Sequence, residues 1–307
     1  MLNDDVVPES GNQLVSAEVA ASVDRRRMMR KAGVGIAGLV AAGVMTAGKS
    51  ASASPATDAE IFNFALNFEY LGAEYYLRAV TGVGLSSYAG VTGVGTQGTV
   101  TGGSLVPFKT EALAYYAQQL AVDELAHVLF VRQVLGSAAI AEPSIDLASS
   151  WTVLATAAGL IAPGQSFNPF QDEISFLLGA YVLEDVCVTA LAGAANLLTV
   201  PDNIAYAASL LGTEAYQAGA IRGFLANIGA NLATDAISAL RAKLSGTGDN
   251  GTGDDGNPYN LTNVDYNGQV YRRTPSQVLA IAYGSGVSGT ASGLFFPNGV
   301  NGTFTTV

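Results

Sequence analysis

The chain has 307 residues, 49% of them hydrophobic and only 13% charged, and its formal net charge is −11. This length allows one substantial core or two small domains, and the apolar composition excludes a disordered chain. The negative charge excludes a nucleic-acid-binding protein, because an acidic surface repels phosphate backbones and anionic lipid alike. Cations are the charged partners that such a surface concentrates.

Residues 1–53 read as a targeting segment. Residues 25–31, Arg-Arg-Arg-Met-Met-Arg-Lys, precede a mildly apolar run at 32–48, and Ala-Ser-Ala at 51–53 suits signal peptidase. The paired arginines indicate a twin-arginine signal, with a plain Sec signal as the alternative. The apolar run is rich in glycine and shorter than the roughly 20 residues of a membrane helix, so no stable span is predicted. We expect a periplasmic or secreted protein.

Residues 54–245 are predicted to form a four-helix bundle. Capping residues and apolar positions spaced three or four apart delimit four long helices, at about 57–80, 107–136, 168–198 and 202–228. A Gly-rich loop or small β excursion at 81–106 joins the first two. The middle connection contains a short helix near 147–161, and another short helix is predicted at 234–244. Two hairpins joined by one long crossover differ from a simple up-down bundle. The fold class is therefore all-α.

Residues 246–307 are predicted to form an irregular, Gly/Asn-rich extension that packs on the bundle, with a short helix near 275–283. The acidic repeat at 246–255 lacks the terminal glutamate of an EF-hand, so a flexible loop is favoured over a calcium site.

Each long helix carries a glutamate near the middle of an apolar stretch. These residues are Glu69, Glu124, Glu184 and Glu214. His127, the only histidine, lies one turn after Glu124 and on the same face. Glu74 lies about 140° further round its helix than Glu69 and is predicted to face away from the core. Burial of four carboxylates together requires compensating positive charge.

Basic residues are too few and too distant to supply that charge. After residue 53 the chain has eight Lys/Arg against twenty Asp/Glu. Arg132 and Arg222 lie about two turns beyond the glutamates of their helices. Two divalent cations balance four carboxylates, and oxygen ligands with one imidazole suit iron or manganese better than zinc or copper. We therefore predict two Fe or Mn ions, with one ion or none as the alternatives.

Several segments carry a family resemblance. Residues 69–77, Glu-Tyr-Leu-Gly-Ala-Glu-Tyr-Tyr-Leu, resemble the first helix of ferritins, and Glu124-x-x-His127 matches the second-helix motif of ferritin-like di-metal proteins. The whole of 57–307 resembles the ferritin-like family that includes bacterial and plant desiccation-related proteins. This resemblance implies a ferritin-like bundle with one crossover. It also implies the metal ligands Glu69, Glu124, His127, Glu184, Glu214 and Gln217.

Gln217 departs from the symmetrical pattern of this family. A symmetrical di-metal bundle has a second histidine at this position, whereas an amide offers only a neutral and weaker oxygen. Classical ferritins also have a one-histidine centre with a glutamine, so a metal site is still predicted here. Binding of the second ion is expected to be weaker than binding of the first.

Neighbouring tyrosines are candidate partners of the ligand carboxylates. Tyr76 resembles the tyrosine near ferritin iron centres, and Tyr181 and Tyr216 are predicted to donate hydrogen bonds to ligands. Core packing is the alternative for each. Asp185 is predicted to be solvated or capping, and Cys187, the only cysteine, to be a small core residue.

The resemblance implies a di-iron or di-manganese protein that reacts with oxygen or peroxide in stress defence. One alternative is a non-catalytic desiccation or stress-protective protein that keeps the same bundle, since a fold alone does not specify a reaction. Iron storage is a third and weaker possibility, because nothing in the sequence indicates the surfaces of a cage. A homo-oligomer is left open.

Overall fold

The structure is a computed structural model, and it describes residues 56–253 and 259–307. The targeting segment and Asp254-Asp255 of the acidic repeat lie outside the described residues. Within them, the α-helices are α1 (Asp58–Thr81), α2 (Glu111–Leu135), α3 (Ser149–Ala157), α4 (Glu173–Ala194), α5 (Pro201–Asn227), α6 (Asn231–Ser245) and α7 (Pro275–Ala282). Two short strands, β1 (Val100–Gly102) and β2 (Ile145–Leu147), and three short 3-10 helices (Leu85–Ser87, Gly136–Ala138 and Ala195–Leu197) complete the regular structure described.

Four of these helices form the bundle that holds the site. Helix α1 packs along α2, and α4 packs along α5, so that each pair is a helical hairpin. The connection from α2 to α4 crosses the bundle and contains β2 and α3. This arrangement confirms the predicted all-α, ferritin-like class with one long crossover.

Local signals explain where the first bundle helix begins and ends. The Thr57 hydroxyl accepts a hydrogen bond from the Glu60 N–H, and the Glu60 carboxylate accepts one from the Thr57 N–H at 2.8 Å. This reciprocal pair satisfies two amide groups that the first turn leaves free. Gly82, with φ of 76°, ends the helix in the left-handed conformation.

Helix α4 begins later than the Asn168-Pro169 signal predicts. The Asn168 side chain accepts from the Phe170 N–H at 3.0 Å and so closes a local turn. Asp172 is the true N-cap, because its carboxylate accepts from the Ser175 N–H at 2.7 Å. Asn168 and Asp172 are both residue types that often cap helices. The sequence alone does not show which of them the crossover places at the start of α4.

The Gly-rich segment after α1 forms a layer over the bundle. Strand β1 pairs in parallel with β2 of the crossover, and Val100 lies opposite Ile145. Gly98 permits this close approach, because a Cβ there would lie 2.0 Å from the Ser144 nitrogen. Leu85, within this segment, is fully buried. The segment is therefore the small β excursion that was one of the two predicted alternatives.

This layer also corrects the prediction for Glu74. The side chain was expected to face away from the core, yet the residue is only 1% exposed. Its carboxylate accepts from Arg78 Nε at 2.6 Å and from the Leu85 N–H at 2.8 Å. The helical phase relative to Glu69 was right, but the Gly-rich segment covers that face of α1 as well.

The last residues of the chain fasten onto the bundle. Phe295 packs edge-on against Trp151, with ring centroids 4.7 Å apart. The Asn301 N–H donates to Asn67 Oδ1, and Asn67 Nδ2 donates to the Asn301 carbonyl, both at 3.0 Å. The Asn301 side chain also accepts from the Thr96 N–H at 2.9 Å. One asparagine thus ties the tail to both α1 and the Gly-rich segment.

Among the described residues, one stretch is long and apolar enough to cross a membrane. It runs from Glu173 to Leu197, with a mean hydropathy of 1.7, and 78% of its most apolar window is buried within the protein. The central helix of a bundle has the same composition, because its apolar residues contact neighbouring helices on nearly all sides.

Candidate metal centre

Four acidic or imidazole side chains from three helices converge inside the bundle. Glu69 of α1, Glu124 and His127 of α2, and Glu214 of α5 each place a ligand-type atom so that all four atoms lie within 4.8 Å of one another. All four residues are buried. Helical periodicity places them there, because each lies on the apolar stripe that its helix turns toward the bundle interior.

The histidine nitrogen lies at the centre of this group. His127 Nδ1 is 3.4 Å from Glu69 Oε2, 3.2 Å from Glu124 Oε1 and 3.2 Å from Glu214 Oε1. One ring N–H can donate to one of these oxygens at most, and the contacts lack hydrogen-bond geometry. Ligand atoms about 2.1 Å from one cation lie about 3 Å apart when they are adjacent. The spacing therefore fits a shared cation.

Glu184 of α4 and Gln217 of α5 extend the group. Both are buried, and Gln217 lies one turn after Glu214 on the same helix. Among the described residues, several buried side-chain atoms of this set have no hydrogen-bond partner. They are Glu69 Oε2, Glu124 Oε1, His127 Nδ1, Glu184 Oε2, both carboxylate oxygens of Glu214, and the amide oxygen and nitrogen of Gln217. Each such atom costs about 1–3 kcal/mol if nothing satisfies it. A set of carboxylate and amide oxygens with one imidazole suits iron or manganese.

Electrostatics show the same need for positive charge. Burial raises the pKa of Glu124 to about 8 and that of Glu214 to about 7, and repulsion from neighbouring carboxylates adds to both shifts. Burial and the Glu214 charge raise the pKa of Glu184 well above its ordinary value. Burial opposes protonation of His127, but Glu124 and the other carboxylates outweigh it and raise its pKa strongly. The group thus retains protons, and cations can take their place.

Tyr76 contacts the group through Glu184. Its hydroxyl donates a short hydrogen bond to Glu184 Oε1, and the side chain is fully buried. Burial, followed by the Glu184 charge, raises the pKa of Tyr76 well above its ordinary value, so the phenol stays protonated as a donor. Tyr76 therefore orients the Glu184 carboxylate.

The predictions for the other two tyrosines are wrong. Tyr216 is 83% exposed, because it lies about 200° round α5 from Glu214 and points into solvent. Tyr181 is buried, but its hydroxyl lies 2.7 Å from the Ser238 hydroxyl and accepts from Arg222 at 3.2 Å. It faces α6 rather than the ligand carboxylates.

Sequence reasoning missed the group that Tyr181 does contact. Asp185, expected to be solvated or capping, is 2% exposed, and its Oδ2 accepts from Arg222 and Arg241, both at 2.8 Å. Asp249 accepts from Arg241 at 2.7 Å and from Arg273 at 2.8 Å. We call these five residues the arginine–aspartate cluster. The position of Arg222 within the apolar stretch of α5 was the available signal.

A second pair of buried acids lies apart from the metal centre. Glu142, in the crossover, is 3% exposed and faces Glu74. Burial and the Glu74 charge raise the pKa of Glu142 to about 8, although Arg78 and Arg132 oppose the shift. Retention of a proton by the Glu142 carboxyl explains how the two acidic side chains can be buried together. We call it the Glu74–Glu142 pair.

Comparison with known proteins agrees with the geometry. The family described as "Ferritin-like domain" matches residues 57–227, which include all six predicted ligands and more than half of the chain. The "Ferritin-like catalase Nec2" of Nesocodon mauritianus is 27% identical over 270 residues, which cover 80% of this chain and 84% of that protein. The "Desiccation-related protein PCC13-62" of Craterostigma plantagineum is 30% identical over 213 residues, or 63% and 64% of the two chains. No solved structure matches. On the family match and the fold together, the chain belongs to the ferritin-like domain family.

Proposed function

We propose that this protein binds two iron or manganese ions at the buried carboxylate–histidine centre and reacts with peroxide or oxygen in stress defence, after export. The main support is the group of buried, unpartnered carboxylate and imidazole atoms within 4.8 Å of one another. The similarity to a protein named a ferritin-like catalase supports peroxide as the substrate. The arginine-rich segment at 25–31 supports export.

Each side chain has a role in this proposal. Glu69, Glu124, His127, Glu184 and Glu214 hold the ions, and Gln217 supplies a neutral oxygen. When bound, such ions supply Lewis-acid and one-electron redox chemistry at the carboxylates. The Tyr76 hydroxyl fixes Glu184 and holds a proton next to the centre. The surrounding apolar side chains exclude bulk water, which strengthens the electrostatic interactions inside.

Metal analysis with matched variants tests the proposal. Protein purified without added metal is expected to contain close to two Fe or Mn ions per chain and to release oxygen from hydrogen peroxide. Glu124→Gln and His127→Ala are expected to lose most of the metal and the activity. Glu74→Gln is the control, since Glu74 is a buried acid outside the centre.

Two outcomes contradict the proposal. A folded wild-type protein that binds neither metal after reconstitution removes its basis. An equal loss of metal in Glu74→Gln places the binding site elsewhere.

A non-catalytic, desiccation-protective function is the second candidate. The similarity to a protein named for desiccation favours it, and the neutral Gln217 amide reduces the charge available for a second ion. This function predicts a protein that binds metal, or remains stable without it, and shows no turnover of peroxide or oxygen. The same metal and activity measurements distinguish the two candidates.

A further inference from the structure

An apolar pocket lies along the seam between α1 and α4, beneath α7 and the tail. Its cavity volume is about 20 Å³, enough for about one water-sized molecule. It is lined by nine residues of these three helices and by Phe295 of the tail, and none of these described residues is charged. Apart from backbone atoms and the Cys187 thiol, the wall is hydrocarbon.

On the α1 side, this pocket lies next to the metal centre. Gly72 forms part of its wall and comes one turn after Glu69. A Cβ at Gly72 would lie 2.5 Å from Glu124 Oε2, so the carboxylate occupies the space that a side chain would fill. Only the helix backbone therefore separates the pocket from Glu124 at this point.

The α4 wall is equally close to the centre. Leu183 and Cys187 line the pocket on either side of Glu184 along the helix. Burial, followed by the charges of Glu214, Glu184 and the other ligand carboxylates, raises the pKa of the Cys187 thiol well above its ordinary value. The thiol is thus neutral and lies within electrostatic range of the ligands. Cys187 is a pocket-lining residue rather than the simple core residue that the sequence predicts.

The composition of the pocket determines what can pass through it. A charged solute loses its hydration in an apolar channel, at a cost of several kcal/mol or more. An uncharged molecule of a few heavy atoms, such as dioxygen or hydrogen peroxide, does not meet this cost.

We propose that this pocket is the access route by which small uncharged molecules reach the metal centre, between Gly72 and Cys187, and that it excludes charged solutes. Its purpose rests on the proposed function, because a route to the centre matters only if the centre binds an oxidant. Its selectivity is a property of the apolar wall and can be measured with or without metal.

Cys187 is a built-in reporter, because the chain has no other cysteine. The full chain, metal-free and metal-loaded, is treated with a neutral methanethiosulfonate and with anionic and cationic analogues, and the modified mass is followed in time. The labelling rate of each reagent is divided by the rate of the same reagent with the unfolded chain, which corrects for differences in intrinsic reactivity. The neutral reagent is expected to react at least about tenfold faster than either charged one, which corresponds to about 1.4 kcal/mol. Equal rates for all three reagents, or no reaction with any, would overturn the proposal.

Filling the pocket provides the second arm. Ala282 lines it at the end of α7, away from the predicted ligands. Ala282→Leu is expected to slow neutral labelling about tenfold or more and to raise the KM for peroxide at unchanged kcat and metal content. Ala282→Ser, which adds one atom only, is the matched control.

Uptake of xenon by the wild-type protein, followed by ¹²⁹Xe NMR, gives a readout that requires no variant to fold. Xenon binds dry apolar cavities, so absence of uptake also counts against the route. Charge-selective labelling in a protein that binds no metal would refute the proposed function but leave the pocket's selectivity intact. If Ala282→Leu keeps the metal content, the turnover and the labelling rate of the wild type, the access route is refuted. The proposed function is not affected by that result.

Discussion

The metal centre and the arginine–aspartate cluster are two solutions to the same electrostatic problem. Glu184 and Asp185 are consecutive residues of α4, and each is 2% exposed. Glu184 interacts with the carboxyl groups of Glu214 and Glu124 and with one imidazole, whereas Asp185 faces Arg222 and Arg241 at 2.8 Å. Burial of a carboxylate requires positive charge nearby. The chain supplies that charge to Asp185 and leaves Glu184 to protons or bound cations.

This contrast separates what the fold needs from what the site needs. In the arginine–aspartate cluster, three guanidinium groups and two carboxylates form ion pairs of 2.7–2.8 Å that link α4, α5, α6 and the following segment. That cluster therefore stabilises the bundle whether or not metal is present. The candidate metal centre has no guanidinium groups to pair with its carboxylates. Its contribution to the free energy of unfolding therefore depends on pH and on the concentration of metal ions.

The largest expected effect comes from breaking the internally compensated cluster. Asp185→Asn leaves Arg222 and Arg241 buried without their shared carboxylate, so the free energy of unfolding is expected to fall by about 3–5 kcal/mol. Denaturant titration of metal-free and metal-loaded protein measures this change. A loss below 1 kcal/mol would mean that the cluster contributes little to stability.

The neighbouring substitution is expected to act in the opposite way. Glu184→Gln removes one acid from a group of acids, so metal-free protein is expected to keep or slightly gain stability. Wild-type protein is expected to gain about 2.7 kcal/mol at a metal concentration one hundred times the Kd, and most of this gain should be absent in the variant. A large destabilisation of metal-free Glu184→Gln would remove the distinction between the two clusters.

A smaller effect is expected from Gly72→Ala. The added Cβ would lie 2.5 Å from Glu124 Oε2 and must displace that carboxylate from the ligand group. Metal affinity is expected to fall about tenfold, or about 1.4 kcal/mol, while the fold is retained. Isothermal titration measures the affinity. Gly223→Ala in α5 is the control, because a Cβ there meets nothing within 4 Å. Equal affinities in both variants would contradict the expectation.

A pH dependence is expected of the Glu74–Glu142 pair. The pKa of Glu142 is raised to about 8 from an ordinary 4.5, so between these pH values the folded protein keeps a proton that the unfolded chain has released. Stability from this pair is therefore present at low pH and is lost as pH rises toward 8. Glu142→Gln remains neutral, so its free energy of unfolding relative to wild type is expected to rise by about 1 kcal/mol per pH unit between pH 5 and pH 8.

Metal-free protein is used for this comparison, because the ligand acids then titrate alike in both proteins and cancel. A stability difference that stays constant from pH 5 to pH 8 would show that Glu142 does not retain a proton.

Helical periodicity was sufficient to place the buried acids and the histidine of the candidate centre. Glu69, Glu124, His127, Glu184 and Glu214 each lie on the apolar stripe of a long helix, and the 3.6-residue repeat determines which way such a residue faces. The same repeat gave the bounds of the helices to within a few residues, except at the start of α4.

The failures arise where a helix is covered on more than one face. Glu74 and Asp185 lie off the bundle stripe, so periodicity placed both in solvent. In the structure the Gly-rich segment covers Glu74, and α6 with the chain after it covers Asp185. Those covering segments lack a periodic pattern, and their docking depends on long-range contacts such as the pairing of Val100 with Ile145. A single sequence does not display such contacts.

The pairing of Asn67 with Asn301 has a consequence for biosynthesis. The partners are 234 residues apart, and Asn67 is fully buried in the earliest bundle helix to leave the ribosome. That helix must wait until a further 234 residues have been translated before its amide oxygen finds its backbone donor. Contacts of such long separation slow folding and prolong the exposure of unfinished apolar surface. Nascent chains of this protein therefore expose unfinished apolar surface until Asn301 has left the ribosome.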